Sequence, residues 1–402
     1  MAVKRKSKAE RMKLVKNVIA NINKKEKENV INFASEEEMA ERLRIEFIPT
    51  VSFALNNAFS GLPRGKMSLV AGSSDCGKTS FLLETIGYNM QIDPDFIACW
   101  IESEDSLSDE LINLFNIDRN RFIVYNVDPD QGGEVALDYC CAVAQTGVDL
   151  IVINSLKCLT PKKEMTDSML DANIALQARL NAKFIRKVIP LISKSGSALA
   201  CVQHKATNIN AYGAPQEITG GQAIRYNNML TLDFNKVSIK AGDPYYDIKD
   251  QCLRIRVRVL KNHCCATKNP YTVTDYTVRL GKGTDTTGEI LEEAYRQEII
   301  VKAAGGYFRE YLKGMPHDKE NIRVLADGTK CEWRGAANFQ TYLDSHPEYF
   351  EYIKEQVESG EFNVEYIDED EVTLLEAGNK QQDELINEVE AILDNVFEEE
   401  EE

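Results

Sequence analysis

From about residue 47 to residue 260, short apolar segments alternate with longer segments whose apolar residues recur at helical spacing. The apolar segments have the length of buried strands. Strands that alternate with helices favour an α/β fold with a mostly parallel, twisted sheet that helices cover on both faces. The predicted strands are Lys66–Ala71, Phe96–Ile101, Phe122–Tyr125, Leu150–Ile153, Ala198–Gln203 and Leu230–Phe234, and the predicted helices are Thr79–Met90, Glu134–Gln145 and Asn173–Ser193.

Two further segments follow different patterns. Leu253–Leu260 alternates between apolar and polar residues, which predicts a more exposed, antiparallel strand. Residues 8–28 predict a basic helix with Leu14, Val18, Ile19 and Ile22 on one side. This helix is either a solvated arm or an arm that docks on a neighbouring subunit, and the pattern leaves both interpretations open.

The net charge of −17 is distributed unevenly along the 402 residues. Residues 1–29 hold ten basic and three acidic residues, a net charge of +7, whereas residues 355–402 hold nineteen acidic residues and one lysine, a net charge of −18. The composition of the acidic end is typical of a disordered segment. We therefore expect a basic N-terminal arm (1–35), a large α/β core (36–290), a small C-terminal α/β domain (291–357) and an acidic, largely disordered tail (358–402).

The cysteine pattern and the hydropathy exclude several classes of protein. Among the ten cysteines are two adjacent pairs, Cys140–Cys141 and Cys264–Cys265, but no recurring Cys-x-x-Cys motif with zinc-site spacing. A disulfide framework is uncommon in a chain of this length, so we expect reduced thiols. No apolar run approaches the roughly 18–20 residues of a membrane span. Because no apolar segment with a cleavage site follows the basic N-terminus, we expect a soluble, cytoplasmic protein.

The segment Gly72–Thr79 (GSSDCGKT) fits the pattern G-x-x-x-x-G-K-[ST] between a predicted strand and a predicted helix. Glycines in such a loop let backbone N–H groups point at phosphate oxygens, and the following helix adds its N-terminal partial positive charge. Lys78 would reach the β- and γ-phosphates of ATP, and the Thr79 hydroxyl would bind Mg²⁺. The predicted ATP-binding residues here are Gly72, Ser73, Ser74, Asp75, Cys76, Gly77, Lys78, Thr79 and Ser80.

Two other strands end in polar residues that phosphoryl transfer requires. The strand FIACWI runs into Glu102-Ser103-Glu104-Asp105, and a carboxylate at the C-terminal end of a parallel strand lies at the ligand edge of the sheet. Glu104 is therefore the candidate that orients the attacking water. The strand LIVI runs into Asn154, where an aspartate is expected to hold the Mg²⁺ shell. Asn154 keeps an acceptor oxygen that can bond a metal-bound water, but it lacks the charge.

With these motifs in place, the chain resembles the RecA recombinase family, in particular its bacteriophage (UvsX-like) branch, over roughly residues 36–357. The resemblance implies that residues 36–290 form a RecA-type ATPase core and that the N-terminal arm docks on the next protomer to drive polymerisation. Besides the phosphate loop, the motifs that carry it are Thr160-Pro161-Lys162-Lys163-Glu164 with Arg179 at the family's spacing, Gly220-Gly221 before a helix, Lys261-Asn262-His263, Gly288-Glu289-Ile290-Leu291 and Ala303-Gly305-Gly306-Tyr307.

The resemblance assigns further roles at the ATP site. Glu104 would be the catalytic carboxylate, and Gln203-His204 would end a strand where the family places its γ-phosphate sensor. His204 at this position resembles the phage branch. Lys261 looks like the lysine that reaches across to a neighbour's ATP, whereas His263 departs from the family's second lysine. If both act on a neighbouring subunit, hydrolysis requires assembly.

The resemblance also implies two segments that line the DNA. The first is Glu164–Ile174, followed on the next helix by Arg179 and Arg186, and the second is Lys205–Gly221. Backbone N–H groups and basic side chains suit phosphate contacts without sequence preference. Tyr212 and Ile174 would act as wedges or stacking surfaces between bases. The predicted DNA-binding residues are Ile174, Arg179, Arg186, Lys205, Asn208, Tyr212, Gly220, Gly221 and Arg225.

These roles imply a DNA-dependent ATPase that forms helical filaments on single-stranded DNA with ATP and Mg²⁺. It would catalyse homologous pairing and strand exchange in DNA repair and recombination-dependent replication. The implied partners are single- and double-stranded DNA, further copies of the chain, and single-strand-binding and mediator proteins, in the cytoplasm of a bacterium or a phage-infected host. The acidic tail would compete with DNA for basic surface or recruit accessory proteins.

Two alternatives remain open at this point. A ring-forming RecA-fold hexameric helicase shares the phosphate loop and the sheet, although the Thr160–Glu164 segment and the small C-terminal domain argue against it. Because Asn154 and His263 depart from the family pattern, the chain could instead coat single-stranded DNA under nucleotide control with little turnover.

Overall fold

The structure, a computed structural model, describes residues 7–27, 33, 43–166, 176–207, 216–218, 221–240, 246–265, 272–325, 328–360 and 365–366. Contacts divide the chain into two units, Met1–Glu46 and Phe47–Glu402. The division into four parts expected from composition stays a prediction. None of the described helices combines the length and the apolar character that a membrane-spanning helix requires.

The N-terminal unit contains helix α1 (Lys8–Glu26), which confirms the predicted basic helix. The helix begins with a capping box, in which the Ser7 hydroxyl accepts from the Glu10 backbone N–H and the Glu10 carboxylate accepts from Ser7. Its apolar side chains Leu14 and Val18 are exposed. The docking role of this helix stays a prediction.

The second unit holds the remaining described helices and strands. The helices are α2 (Phe53–Phe59), α3 (Lys78–Ile92), α4 (Asp109–Leu114), α5 (Gly133–Ala144), α6 (Lys162–Thr166), α7 (Leu176–Ser195), α8 (Gln222–Asn227), α9 (Thr286–Arg296), α10 (Ala336–Ser345) and α11 (Pro347–Glu358). The strands are β1 (Phe47–Ile48), β2 (Leu62–Pro63), β3 (Met67–Gly72), β4 (Ala98–Glu102), β5 (Phe122–Asn126), β6 (Leu150–Asn154), β7 (Ala198–Thr207), β8 (Gln216–Ile218), β9 (Leu230–Val237), β10 (Cys252–Asn262), β11 (Thr272–Arg279), β12 (Gly283–Thr284), β13 (Val301–Ala303), β14 (Tyr307–Arg309), β15 (Glu332–Arg334) and β16 (Glu365–Tyr366).

The large sheet has the strand order β12-β11-β10-β9-β3-β7-β6-β4-β5. Strands β9, β3, β7, β6, β4 and β5 run parallel, which confirms the fold class predicted from the alternating pattern. Strand β10 pairs antiparallel with both β9 and β11, as its apolar–polar alternation predicts. All seven predicted strands and the predicted helices of the core are present, with ends that differ by a few residues.

Helices cover the sheet on both faces because the parallel strands are apolar on both faces. Within β3, Met67, Leu69 and Ala71 belong to one apolar core, whereas Val70 belongs to the other. Helix α3 contributes Leu82 and Leu83 to the core that contains Val70. This central, doubly covered strand ends at the phosphate loop, so the loop is anchored on the most buried part of the sheet.

A third apolar core lies in the C-terminal part of the unit, among residues that run from Ile290 to Val357. There the small antiparallel sheet β13–β14–β15 packs with α10 and α11 around Trp333, whose ring centroid lies 4.7 Å from that of Phe339. The buried Glu310 accepts hydrogen bonds from Tyr349 Oη at 2.5 Å and from Arg323 Nη1 at 2.6 Å. A charge-assisted bond and a phenol hydrogen bond thus satisfy the buried carboxylate.

Glu289 joins α9 to the N-terminus of α2. Its carboxyl accepts hydrogen bonds from Ser52 Oγ at 2.8 Å and from Ala54 N at 3.3 Å. Burial outweighs these bonds and raises the pKa of Glu289 from 4.5 to about 8. The folded protein therefore keeps this proton in a pH range in which the unfolded chain releases it. The stability that Glu289 contributes is complete below pH 4.5 and is lost as the pH rises to about 8.

We expect Glu289→Gln, which resembles the protonated carboxyl, to flatten the fall in thermal stability across this pH window. At the upper end of the window its Tm should lie a few degrees above that of the wild type, because no charge forms in the buried site. Circular dichroism melts at several pH values measure the effect. Glu292→Gln on the same helix is the control, since Glu292 pairs with Arg254 and is less buried. Parallel pH profiles for Glu289→Gln and the wild type would contradict the assignment.

Candidate functional site

The candidate chemical residues meet at the carboxyl edge of the parallel strands. The register places Gly72 beside His204 of β7, and Glu102 of β4 beside Asn154 of β6. Ligands of open parallel sheets bind at this edge. The fold therefore brings together the phosphate loop and the two polar strand ends that the sequence predicted.

The phosphate loop, Gly72–Thr79, connects β3 directly to α3, as predicted. A Cβ atom at Gly72 would lie 2.5 Å from the Phe234 carbonyl oxygen, and one at Gly77 would lie 2.5 Å from Ile255 Cδ1. Gly77 also has a φ of 84°, a conformation that favours glycine. Both glycines are therefore required by space and backbone conformation.

Lys78 is the first residue of α3, and only 5% of it is exposed. Its ammonium donates to the Ser73 carbonyl at 2.5 Å and lies 3.3 Å from the Gly72 carbonyl. The long helix α3 adds its N-terminal partial positive charge to the same place. The loop thus concentrates positive charge where phosphate oxygens would bind.

Cys76 supports the loop from within. Its buried thiol donates to the Ser73 carbonyl at 3.0 Å, and the Lys78 ammonium lies 3.6 Å from its sulfur. Burial raises the pKa of the Cys76 thiol, although the charge of Lys78 opposes this shift. The thiol is therefore a neutral packing group at neutral pH. Ser74 and Asp75 are exposed, whereas Ser80 lies half-buried in the first turn of α3.

Glu104 lies in direct contact with His204, while the catalytic and sensor roles expected for these two residues stay predictions. Glu104 Oε1 is 2.7 Å from His204 Nε2, and the same oxygen accepts a hydrogen bond from the Ser155 hydroxyl. Burial would raise the pKa of Glu104, but the bonds from Ser155 and His204 and the charge of His204 outweigh burial and lower it. The carboxylate is thus held ionised and oriented, which a group that aligns an attacking water needs.

Asn154 is completely buried, and among the described residues its side-chain oxygen Oδ1 remains available as an acceptor. Its side-chain N–H groups donate to Ser106 Oγ at 2.9 Å and to Glu102 Oε2 at 3.3 Å. Asn154 Oδ1 has no hydrogen-bond partner among the described residues. A buried carbonyl oxygen normally has a donor, and a metal-bound water would supply one. Together with the Thr79 hydroxyl at the start of α3, this oxygen fits the hard-ligand preference of Mg²⁺.

Gln203, Lys261 and His263 take different positions around this edge. Gln203 is buried on β7 beside Ala71 of β3. Lys261 Nζ donates to the carbonyls of Arg225 and Tyr226, at 3.2 and 3.0 Å, at the C-terminal end of α8. Burial lowers the pKa of Lys261. His263 is exposed, with its backbone N–H bonded to Met229. The reach of Lys261 and His263 to a neighbour's ATP stays a prediction.

Helices α7 and α8, which follow the two segments expected to line DNA, touch at their N-terminal ends. A Cβ atom at Gly221 would lie 3.1 Å from Ala178 Cβ, so the start of α8 touches the first turn of α7. Arg179 follows Ala178 on α7, and Arg186 lies on the exposed side of that helix. Arg225 is half-buried on α8. Ile174, Asn208, Tyr212 and Gly220 lie outside the described residues, and the DNA role of the whole set stays a prediction.

Lys205 is not a free surface cation, because it forms an ion pair with Asp233. Its ammonium pairs with Asp233 Oδ1 at 2.5 Å, and the exposed fractions of the two side chains are only 10% and 2%. Contact between Lys205 and a phosphate would require this buried ion pair to separate. Separation is energetically unfavourable when it leaves a buried charge without its partner. Strand pairing between β7, β3 and β9 produces the contact, and the local sequence around Lys205 does not reveal it.

Sequence reasoning missed two residues that organise the site, Glu102 and Ser155. Glu102 is buried and accepts from the indole of Trp100 at 2.8 Å. The sequence did carry a signal for Glu102. Residues two apart on a strand point to the same face, so strand alternation places Glu102 on the same face as the apolar Trp100. Ser155 is 51 positions from Glu104, and no local pattern indicates that its hydroxyl holds that carboxylate.

Comparison with known proteins gives a consistent result. Residues 13–285 match the family model described as the RecA N-terminal domain. The chain is 29% identical over 347 residues to Protein RecA of Nautilia profundicola, which covers 85% of this chain and 89% of that protein. It is 30% identical over 291 residues to Protein RecA of Heliobacterium modesticaldum, which covers 71% and 80% of the two chains. It is 28% identical over 322 residues to Protein RecA of Synechococcus elongatus, with 79% and 82% covered.

Proposed function

The chain belongs to the RecA family, and from this premise we propose that it forms helical filaments on single-stranded DNA and pairs that strand with a homologous duplex. As a member of the family it is a DNA-dependent ATPase that acts in DNA recombination and repair. Base pairing, rather than side-chain contacts, supplies sequence recognition in this proposal. The bacteriophage branch stays a prediction.

ATP binds in the loop Gly72–Thr79 at the carboxyl edge of β3. The backbone N–H groups of the loop and the Lys78 ammonium hold the phosphates, and Lys78 has only to exchange the Ser73 carbonyl for phosphate oxygens. The Thr79 hydroxyl and, through water, Asn154 Oδ1 would hold Mg²⁺, which would neutralise charge on the phosphates.

Hydrolysis depends on Glu104. Its ionised carboxylate accepts a hydrogen bond from the attacking water and aligns that water with the γ-phosphorus. Ser155 and His204 both contact Oε1 of this carboxylate, so its orientation is set before ATP arrives. Such preorganisation is the main catalytic contribution available to a protein in phosphoryl transfer.

The observation that carries the proposal is the hydrogen bond of 2.7 Å between Glu104 Oε1 and His204 Nε2. His204 lies on β7, and the same strand runs on into the segment Lys205–Gly221, which we assign to DNA. A nucleotide whose γ-phosphate contacts His204 therefore acts directly on the segment that grips DNA. This connection supports nucleotide-controlled DNA binding and hydrolysis that responds to DNA.

The finer parts of the proposal concern assembly. Residues 1–35 dock on the next protomer, and Lys261 of each protomer serves the ATP site of its neighbour when it leaves the end of α8. Residues 358–402 compete with DNA for basic surface, and single-strand-binding and mediator proteins assist loading. In this scheme, assembly on DNA is a condition for rapid hydrolysis.

We expect single-stranded DNA to raise the ATPase rate at least about tenfold, because DNA and assembly complete the site. A coupled ATPase assay with and without single-stranded DNA measures this, and a strand-exchange assay with and without ATP tests the reaction itself. Electron microscopy on single-stranded DNA distinguishes helical filaments from closed hexamers. Equal rates with and without DNA, or rings alone, would count against the recombinase and favour a helicase or a coating protein.

A further inference from the structure

Glu102 is a buried carboxylate held only by neutral donors among its hydrogen-bond partners in the described structure. It accepts from Trp100 Nε1 and from the backbone N–H of Glu104, both at 2.8 Å, and from the Asn154 amide at 3.3 Å. Ser106 adds longer contacts at 3.4 Å. Only 4% of Glu102 is exposed. Several donors thus converge on one buried carboxyl group, which lies directly opposite Asn154 on the adjacent strand.

Glu102 also fixes the orientation of the Asn154 amide. The N–H groups of Asn154 point at the Glu102 carboxylate and at Ser106 Oγ, while Ser106 can donate its own proton to Glu102. A flipped amide would place the Asn154 carbonyl oxygen against the carboxylate, and both groups would be acceptors facing each other. Asn154 Oδ1 is therefore kept as the acceptor on the opposite side, buried and with no partner in the described part of the chain.

The same carboxylate shapes the backbone that carries the hydrolytic group. Its bond to the Glu104 N–H, two residues along the chain, ties the turn after β4 to the end of that strand. Asn154 lies opposite Glu102 in the β4–β6 register, so one side chain determines the placement of both neighbouring polar groups. Charge, amide orientation and loop shape thus all depend on Glu102.

We propose that Glu102 and Asn154 together replace the single aspartate expected at position 154, with Glu102 as the positioning residue. Glu102 supplies the negative charge that favours a divalent cation, and Asn154 supplies the neutral oxygen that receives a cation-bound water. In an interior of low effective dielectric, a charge acts on a cation across several ångströms, so it need not touch the ion. This inference rests on the proposed ATP site and adds the source of its cation preference.

The test exchanges the two roles. Glu102→Gln removes the charge, and the double variant Glu102→Gln/Asn154→Asp puts it back on the neighbouring strand while keeping one amide and one carboxylate in contact. The measurement is the Mg²⁺ concentration that half-saturates binding of a fluorescent, non-hydrolysable ATP analogue. We expect Glu102→Gln to raise this concentration about tenfold and the double variant to return within about threefold of the wild type. A double variant that needs as much Mg²⁺ as Glu102→Gln overturns the proposal.

Asp105→Asn is the matched control, because it removes an exposed acid from the same loop. Asn tolerates the left-handed backbone at this position, where φ is 53°. Its half-saturating Mg²⁺ concentration should stay within about twofold of the wild type, since exposed charges are screened. A shift as large as that of Glu102→Gln would mean that general electrostatics, rather than this pair, sets the Mg²⁺ dependence.

Thermal stability gives a second measurement that does not depend on nucleotide. Asn154→Asp places two carboxylates in contact in the interior, so its Tm should fall by several degrees, and the double variant should recover most of that loss. A double variant no more stable than Asn154→Asp contradicts the pairing, whereas a double variant that folds where Asn154→Asp does not supports it. If wild-type protein binds the analogue and the double variant shows no repair, this inference fails alone. If wild-type protein binds no analogue at any Mg²⁺ concentration, the proposed function fails.

Discussion

Glu104→Gln should lose DNA-stimulated ATP hydrolysis by roughly two to four orders of magnitude, the usual contribution of a positioned base. The glutamine keeps an oxygen that can face Ser155 and His204, so the fold and the ATP site should persist. Because the bound nucleotide controls DNA binding in our proposal, a variant that leaves ATP unhydrolysed should remain bound to single-stranded DNA for much longer than the wild type. Initial homologous pairing should survive, whereas turnover should not.

An ATPase assay and fluorescence anisotropy of labelled single-stranded DNA measure these two effects. Asp105→Asn, the neighbouring exposed acid, is the control and should hydrolyse ATP at close to the wild-type rate. The wild-type pH profile offers an independent check. Since the hydrogen bonds and charge around Glu104 lower its pKa, the loss of activity caused by its protonation should occur below pH 4.5. A Glu104→Gln protein with a near-wild-type rate would remove Glu104 from the mechanism.

The sequence predicted the sheet well because burial on both faces imposes a simple pattern. A central parallel strand such as β3 is buried throughout and is therefore apolar at nearly every position, with Ser68 as the exception. The phosphate loop could also be predicted, since its glycines and lysine lie next to one another in the chain. The features that could be predicted are therefore local, because each depends on residues within one strand or one turn.

The sequence could not predict contacts that depend on how strands line up. Lys205 was expected at a DNA surface, but β9 brings Asp233 against it. Ser155 holds Glu104 only because β6 and β4 are adjacent. The most informative departure from the expected pattern was Asn154, which stands where an aspartate is expected. Its missing charge is visible in the sequence, whereas the role of the nearby Glu102 carboxylate becomes apparent only from the β4–β6 register.

Lys78→Ala should have the broadest effect of any single substitution, because every later step depends on bound ATP. Removing the ammonium deletes charge-assisted bonds to phosphate worth about 1.5–3 kcal/mol, or roughly a ten- to hundred-fold loss of ATP affinity. The Lys78 side chain also spans the loop to Ser73, so the loop should lose part of its preformed shape. Strand exchange and ATP-dependent DNA binding should fall to background.

Binding of a fluorescent ATP analogue, filament formation seen by electron microscopy and strand exchange together measure this loss. Lys157→Ala is the matched control, because Lys157 is an exposed lysine in the turn that follows Asn154 and Ser155 at the same sheet edge. It should retain ATP binding and strand exchange, which separates the phosphate loop from the general positive charge at this edge. If DNA affinity depends on ATP through His204, Lys78→Ala must show the same weak DNA binding with and without ATP. A Lys78→Ala protein that coats and pairs DNA like the wild type would mean that the grip on DNA is set independently of the nucleotide.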